Sequence, residues 1–152
     1  MGSSKNNKYI QGVYTPINKD KYFGNETPLY RSKLERDFFL FFDTNTNVVA
    51  WASESIVIPY YNPVDNKVHQ YYVDLIAAIK DQQNEIQKYL IEIKPHAQTL
   101  PPGPAGKKRS STILYENLMF NKNQCKWKAA QEWAAKKGMR FVILTENYLK
   151  AR

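Results

Sequence analysis

The segment Leu90-Ile91-Glu92-Ile93-Lys94 constrains this chain more than any other run of its length. In an extended strand, side chains two apart share a face. Ile91 and Ile93 are therefore expected in the core, with Glu92 and Lys94 projecting together from the other face. Pro95 cannot donate to a ladder, so it ends the strand directly after Lys94. Upstream, Asp74 lies between Val73 and Leu75 in another strand-like run. Aspartate is disfavoured in strands, and charges are rarely buried without a partner. Asp74 is either a strand-end carboxylate bonded to backbone or a base, or part of a site with Glu92. Glu92 and Lys94 alone make only a same-face ion pair of little worth. Taken jointly, two carboxylates and a lysine on adjacent strands suit a divalent metal beside a phosphate. Magnesium prefers carboxylate oxygens and usually shares its site with substrate phosphate. On that reading Asp74 and Glu92 hold Mg²⁺ and the backbone carbonyl of Ile93 adds an oxygen. Lys94 then positions or deprotonates the attacking water and stabilises developing negative charge.

The 152 residues suit a single domain with its own core. An apolar fraction of 43% with 14% aromatic residues is that of a folded chain. The formal charge of +8 favours a polyanionic partner such as nucleic acid, although membrane surfaces and acidic proteins attract cations too, and charge also aids solubility. The single cysteine, Cys125, excludes an internal disulfide framework and a cysteine-based zinc cluster, and is expected as a small buried apolar residue. His69 and His96 stand apart without zinc-ligand spacing. The opening MGSSKNNKY has no apolar signal core, and Asn6 occupies the place where acylation at Gly2 would call for Ser or Thr. No apolar run is long enough for a bilayer, so a soluble intracellular protein without membrane contact is expected. There is no glycine-rich phosphate loop, and hence no expected nucleotide cofactor.

Residues 1–30 read as a polar arm anchored by aromatic side chains such as Tyr14 and Tyr22, or else as a loose terminus. A helix is predicted over 32–43, capped by Ser32, with Leu34, Phe38, Phe41 and Phe42 in a stripe. Residues 48–61 and 68–79 predict two strands around the turn at Asn62–Lys67, the second with Tyr72, Asp74 and Ile76 on one face. After a turn at Asp81–Asn84, a third strand over 86–94 completes an antiparallel meander. Prolines and glycines exclude regular structure over 95–111, where Lys107-Lys108-Arg109 is either a phosphate-contacting loop over the site or a solvated surface run. A short helix over 112–120 and a second one over 126–137, with Trp127, Ala130 and Ala134 in its stripe, precede a buried strand at 141–144 and a terminal helix from 145. Trp51, Trp127 and Trp133 are expected in or beside the core.

Glu35 has a complete structural explanation. Ser32-Lys33-Leu34-Glu35 matches a capping box, with Glu35 bonding back to the Ser32 amide. It is equally placed to face the strand carboxylates. Glu54 either faces the same cleft or is surface, and Arg31 either touches phosphate or pairs with an acid on its helix.

The arrangement Glu35, Asp74 and Glu92-Ile93-Lys94 resembles the PD-(D/E)xK nuclease superfamily, and the element order resembles its α-β-β-β-α-β core. Val73 stands where the motif's proline would be. Further blocks resemble the head-completion nucleases of T4-type bacteriophages. They are Tyr30-Arg31-Ser32, Leu34-Glu35, Ala50 to Glu54, Val57 to Tyr60, Ile91 to Pro95, Lys126 to Gln131, Arg140-Phe141 and Ile143 to Glu146. The same core is similar to the endonuclease subunit of Tn7-type transposases, whose first-helix acid matches Glu35. The resemblance implies an α/β (α+β) restriction-endonuclease-like domain over 31–152, with a mixed sheet flanked by helices. It implies a Mg²⁺-dependent DNA nuclease, with Mn²⁺ able to substitute, acting on double-stranded DNA before head–tail joining. Exonuclease action beside the endonuclease is a further option. Portal or neck proteins would be its partners, the host cytoplasm its setting and the virion a second location. Glu35, Asp74, Glu92 and Lys94 would be catalytic, Asp74, Glu92, Ile93 and Glu35 metal-binding, and Lys107, Lys108, Arg109 and Arg31 DNA-binding. A connector that keeps the fold without cleaving, or a junction or mismatch repair nuclease, are the rival readings.

Overall fold

The computed structural model describes residues 10–151. The expectations for residues 1–9, acylation and signal included, lie outside the described residues. In chain order the elements are β1 (Gly12–Val13), β2 (Leu29–Tyr30), α1 (Lys33–Thr44), β3 (Val48–Ser53), β4 (Val57–Asn62), β5 (Lys67–Tyr72), β6 (Leu75–Lys80), β7 (Ile86–Ile93), α2 (Ser110–Lys136), β8 (Arg140–Leu144) and α3 (Glu146–Lys150). The central sheet runs β3-β6-β7-β8. Its first three strands are antiparallel, and β8 lies parallel to β7, so the sheet is mixed. β4 and β5 form a separate hairpin. Helices cover the sheet, which gives the restriction-endonuclease-like α+β class expected.

The alternation along β7 builds two cores. Ile91 and Ile93 join Phe38, Phe39 and Phe42 of α1 with Trp51 and Leu75 on one face. Leu90 joins Tyr71, Val73, Trp127, Ala130 and Ala134 on the other, under α2. Glu92 shares the Leu90 face, as period-two geometry requires, and is buried there. A carboxylate thus sits on the α2 side of a strand that is otherwise hydrophobic at this end.

Residues 10–30 pack against the first core. Trp51, fully buried, meets Tyr22 at 4.7 Å, Phe39 at 5.5 Å and Tyr14 at 6.1 Å between ring centroids. Both expected aromatic anchors are seated there. A buried carboxylate locks the segment. Asp43, near the end of α1, accepts from the Tyr14 hydroxyl at 2.6 Å, the Ile17 amide at 2.7 Å and the Asn18 amide at 3.0 Å.

Three expectations are corrected. The run 48–61 is two strands in two sheets, not one. The chain turns at Glu54, whose φ of 48° is left-handed. The run 68–79 breaks opposite it, between Tyr72 and Leu75. Glu54 N–H donates to the Asp74 carbonyl at 3.0 Å and Val73 N–H to the Ile56 carbonyl at 3.1 Å, so the two breaks face each other. The β4–β5 hairpin bends off the sheet there to pack on α2. The meander survives as β3-β6-β7 with that hairpin inserted. The third correction concerns α2, one helix of 27 residues rather than two. Asn121 to Gln124 are polar without being breakers, and the run from Ser110 to Lys136 holds no Gly or Pro. The loop before it is irregular apart from a 3₁₀ turn over His96–Thr99, and α2 begins at Ser110, one residue before the predicted loop ends.

Candidate active site

Asp74 owes its position to the break between β5 and β6. Outside a regular ladder, an aspartate does not disrupt pairing. Its Oδ2 accepts from the Ile93 amide at 2.7 Å, which ties the kink to the end of β7. Ile93 therefore meets Asp74 through its N–H, at the strand end where its carbonyl was expected to contribute. Glu92, the next residue back along β7 from that amide, sets its charge against Asp74. Burial, then the neighbouring Glu92 charge, holds the Asp74 carboxyl well above the usual carboxylate range, against the pull of the Ile93 amide. Two carboxylates this close favour a shared proton or a cation.

Lys94 Nζ stands 3.8 Å from Glu92 Oε2, on the same side of the strand end as period two predicts. Its side chain is 21% exposed against 5% for Glu92, so the ammonium reaches toward solvent from a buried anion. On the other side, the Tyr71 hydroxyl donates to Glu92 Oε1 at 2.5 Å. Burial and the Glu92 charge push the Tyr71 phenol far up, so it stays a donor. Lys126 Nζ lies 4.6 Å from the Tyr71 ring centroid. Burial lowers the Lys126 ammonium, and Glu92 opposes that shift.

Glu35 and Arg31 enter from the start of α1. The Glu35 amide donates to Ser32 Oγ at 3.1 Å, the expected cap. Its carboxylate, however, accepts from the Arg31 amide and not from Ser32. The loop reaches one residue further back than a capping box. Burial raises the Glu35 carboxyl, with the Arg31 amide opposing and the Glu54 and Glu92 charges adding to the rise. Glu35 thus combines the capping role with a place in the same electrostatic cluster. Arg31 Nη1 pairs with Glu54 Oε1 at 2.8 Å, so its acid partner stands after β3 and not on its own helix.

The basic run is elsewhere. Arg109 directly precedes α2, and 17 residues of helix axis separate it from Lys126, about 25 Å at 1.5 Å per residue. Lys108 pairs with Glu116 at 2.8 Å. Lys107-Lys108-Arg109 therefore flanks the site at a distance and does not lie over the carboxylates. Sequence reasoning missed Tyr71 and Lys126 as site residues. Lys126 carries a legible signal, because it extends the buried Ala130 and Ala134 stripe by one turn. Tyr71 alternates with buried Val73, which marks its inward face but not its partner.

Among the described residues, no three of His, Cys, Asp and Glu converge closely enough to hold an ion by themselves. A carboxylate pair needs no third, since Mg²⁺ commonly keeps waters and substrate oxygens in its other positions. The donor chemistry fits: hard oxygens, close approach and a pair whose combined charge is incompletely offset by Lys94. No helix among the described residues is long and apolar enough to cross a membrane.

Comparison with known proteins gives the family. Residues 45–146 match the family described as TnsA-like endonuclease N terminal. That span contains Glu54, Asp74, Glu92, Lys94 and Lys126, while Glu35 precedes it. The head completion nuclease of Enterobacteria phage T4 is 40% identical over 147 residues, which is 92% of this chain and 93% of that relative. With the mixed sheet and the strand-end carboxylates in place, the chain belongs to the TnsA-like endonuclease family and is a relative of the phage head completion nuclease.

Proposed function

We propose that the chain hydrolyses phosphodiester bonds of double-stranded DNA in a Mg²⁺-dependent reaction at Asp74, Glu92 and Lys94, during phage head completion. The protein is a nuclease by family. The observation that carries the mechanism is buried Glu92, with Lys94 Nζ 3.8 Å from its Oε2, at the same strand end where Asp74 Oδ2 is tied to the Ile93 amide. Asp74 and Glu92 would hold the ion, with the Ile93 carbonyl as a further oxygen and Glu35 contributing through a water. A bound Mg²⁺ would supply charge stabilisation at the phosphate and a more acidic water. Mn²⁺, with similar oxygen preference, would substitute.

The protein's own groups do the rest. Lys94 faces the space in front of Glu92 and binds a non-bridging phosphate oxygen, where its charge offsets what develops in the transition state. It also orients the attacking water. That water adds to phosphorus and gives up a proton as the bond to the leaving sugar oxygen breaks, the leaving oxygen takes up a proton from solvent, and the cut strand is left as one fragment ending in phosphate and one ending in hydroxyl. Tyr71 holds Glu92 in one rotamer. Arg31, paired with Glu54 and within reach of the Glu35 and Asp74 charges, would add a further cation for backbone phosphate.

The relative is named a head completion nuclease, and on this reading the reaction acts on filled heads, before tails join, in the host cytoplasm. Portal or neck proteins are the expected contacts, and retention in the virion would follow from such docking. The test is cleavage of supercoiled plasmid and linear duplex with Mg²⁺ against EDTA, for wild type and Lys94→Ala. Metal-dependent nicking that falls at least about 100-fold in Lys94→Ala is expected. Equal cleavage by both proteins sinks the assignment of Lys94.

A further inference from the structure

Between the proline-rich loop and the first half of α2 lies a cleft of about 530 Å³ that opens directly onto the site. Lys94 is at its inner end, beside Lys126 and Lys122. Leu100, Pro102 and Tyr115 form its outer walls. Tyr115, Lys122 and Lys126 stand at spacings of seven and four residues, so they lie along one stripe of α2. Tyr115 is 63% exposed and Leu100 51%. Exposed apolar side chains gathered at the mouth of a cationic cleft mark a binding surface.

We infer that this cleft receives unpaired nucleotides of the strand being cut, so that the preferred substrate is DNA with a frayed or single-stranded end. The inference rests on the nuclease reading and names its substrate class. Three lysines in line with the carboxylates provide the charge that tracks a phosphate backbone. Lys122 and Lys126 are one helical turn apart, about 6 Å of rise, the scale of adjacent phosphates on one strand. Tyr115 follows about 10 Å further out and offers a ring on which a base stacks. The one acid on this wall, Glu116, is offset by its pairing with Lys108. Size decides against paired DNA inside the cleft. The major groove alone of a duplex is about 12 Å wide, and a cavity of 530 Å³ has no room for a paired helix. A strand released from its partner has slender phosphates and flat bases, which suit the lysine stripe and the Leu100, Pro102 and Tyr115 walls.

The experiment measures binding in EDTA, where no cleavage intervenes, by fluorescence anisotropy. A blunt duplex is compared with the same duplex bearing a short unpaired extension that carries 2-aminopurine. Wild type is expected to bind the extended duplex about tenfold tighter, the scale of one stacked base, and to quench the 2-aminopurine. Tyr115→Ala and Lys122→Ala, both at solvent-accessible positions of the helix, should each close most of that gap and, for Tyr115→Ala, restore the fluorescence. Equal affinity of wild type for both duplexes overturns the inference, as does a gap that survives in both variants. Parallel cleavage with Mg²⁺ separates the two readings. Cleavage of both duplexes without an affinity gap leaves the nuclease standing and removes the cleft's role. An affinity gap without cleavage of any DNA does the reverse.

Discussion

At the scale of single residues, the Asp74 and Glu92 pair sets charge against stability. Burial and the neighbouring carboxylate raise Asp74 above its unfolded value, near 3.9. A carboxyl raised on folding binds its proton more tightly in the native state. Its stabilisation is therefore complete below the unfolded value and lost as pH rises through the native one. Asp74→Asn removes the charge while its side-chain oxygen still accepts from the Ile93 amide. In EDTA at neutral pH this variant should be more stable than wild type by about 1 kcal/mol, or about 2–4 °C in Tm. The gain should shrink toward acid pH, and cleavage should be lost. Parallel melting curves across pH for the two proteins would refute the account. Tyr71→Phe addresses the other side of Glu92. It removes only the hydroxyl that holds Oε1. Groups that orient a metal ligand typically carry about 10–100-fold in affinity or activity. The Mg²⁺ concentration for half-maximal cleavage should rise accordingly, and a change in rate without a change in that midpoint would assign Tyr71 another part.

At the scale of elements, α2 is seated by its smallest residues. Ala130 and Ala134 are fully buried against the α2-side core, where larger side chains have no room. Ala134→Leu should cost about 1–3 kcal/mol by overpacking, read as a lower urea midpoint with an unchanged slope. An unchanged midpoint would mean the interface yields. The same alanine stripe was legible in the sequence, as were the α1 stripe, the β7 alternation and the three turns at 62–67, 81–84 and 138. Each is a local pattern with one physical reading. The breaks at Glu54 and Asp74 were not legible. Each is marked only by a short polar interruption, Ser53-Glu54-Ser55 and Asp74, in an otherwise strand-like run, and only the pairing of one break with the other explains why both occur. The site shows the same division. Glu92 and Lys94 are fixed by strand periodicity, so their juxtaposition could be read directly. Asp74 could be named but not placed. Tyr71 and Lys126 reach the cluster only because the hairpin and α2 fold against the same face of the sheet, a long-range consequence that no spacing records.

At the scale of the whole molecule, a net charge of +8 is expected to act through the DNA backbone. The long α2 distributes that charge along one axis, with Lys126 and Lys122 at the site and the Lys107-Lys108-Arg109 run about 25 Å away. At 3.4 Å per base pair, that reach is about seven base pairs of duplex. The basic run is then a second point of attachment that aligns paired DNA while the cut end occupies the cleft. Its three cations are not equivalent. Lys108 already pairs with Glu116, whereas Lys107 and Arg109 are exposed and form no ion pair among the described residues. Each phosphate neutralised contributes about 0.9 to the slope of log affinity against log salt on duplex DNA. The double variant Lys107→Ala/Arg109→Ala should therefore lower the steepness of that slope by about two, with weaker binding to blunt duplex at low salt and convergence with wild type at high salt. Adding Lys108→Ala should change the slope little, because it removes one cation and releases one anion. A slope untouched by the double variant would show that the run never meets the duplex. A third full step on adding Lys108→Ala would show that the Lys108–Glu116 pair opens when DNA binds.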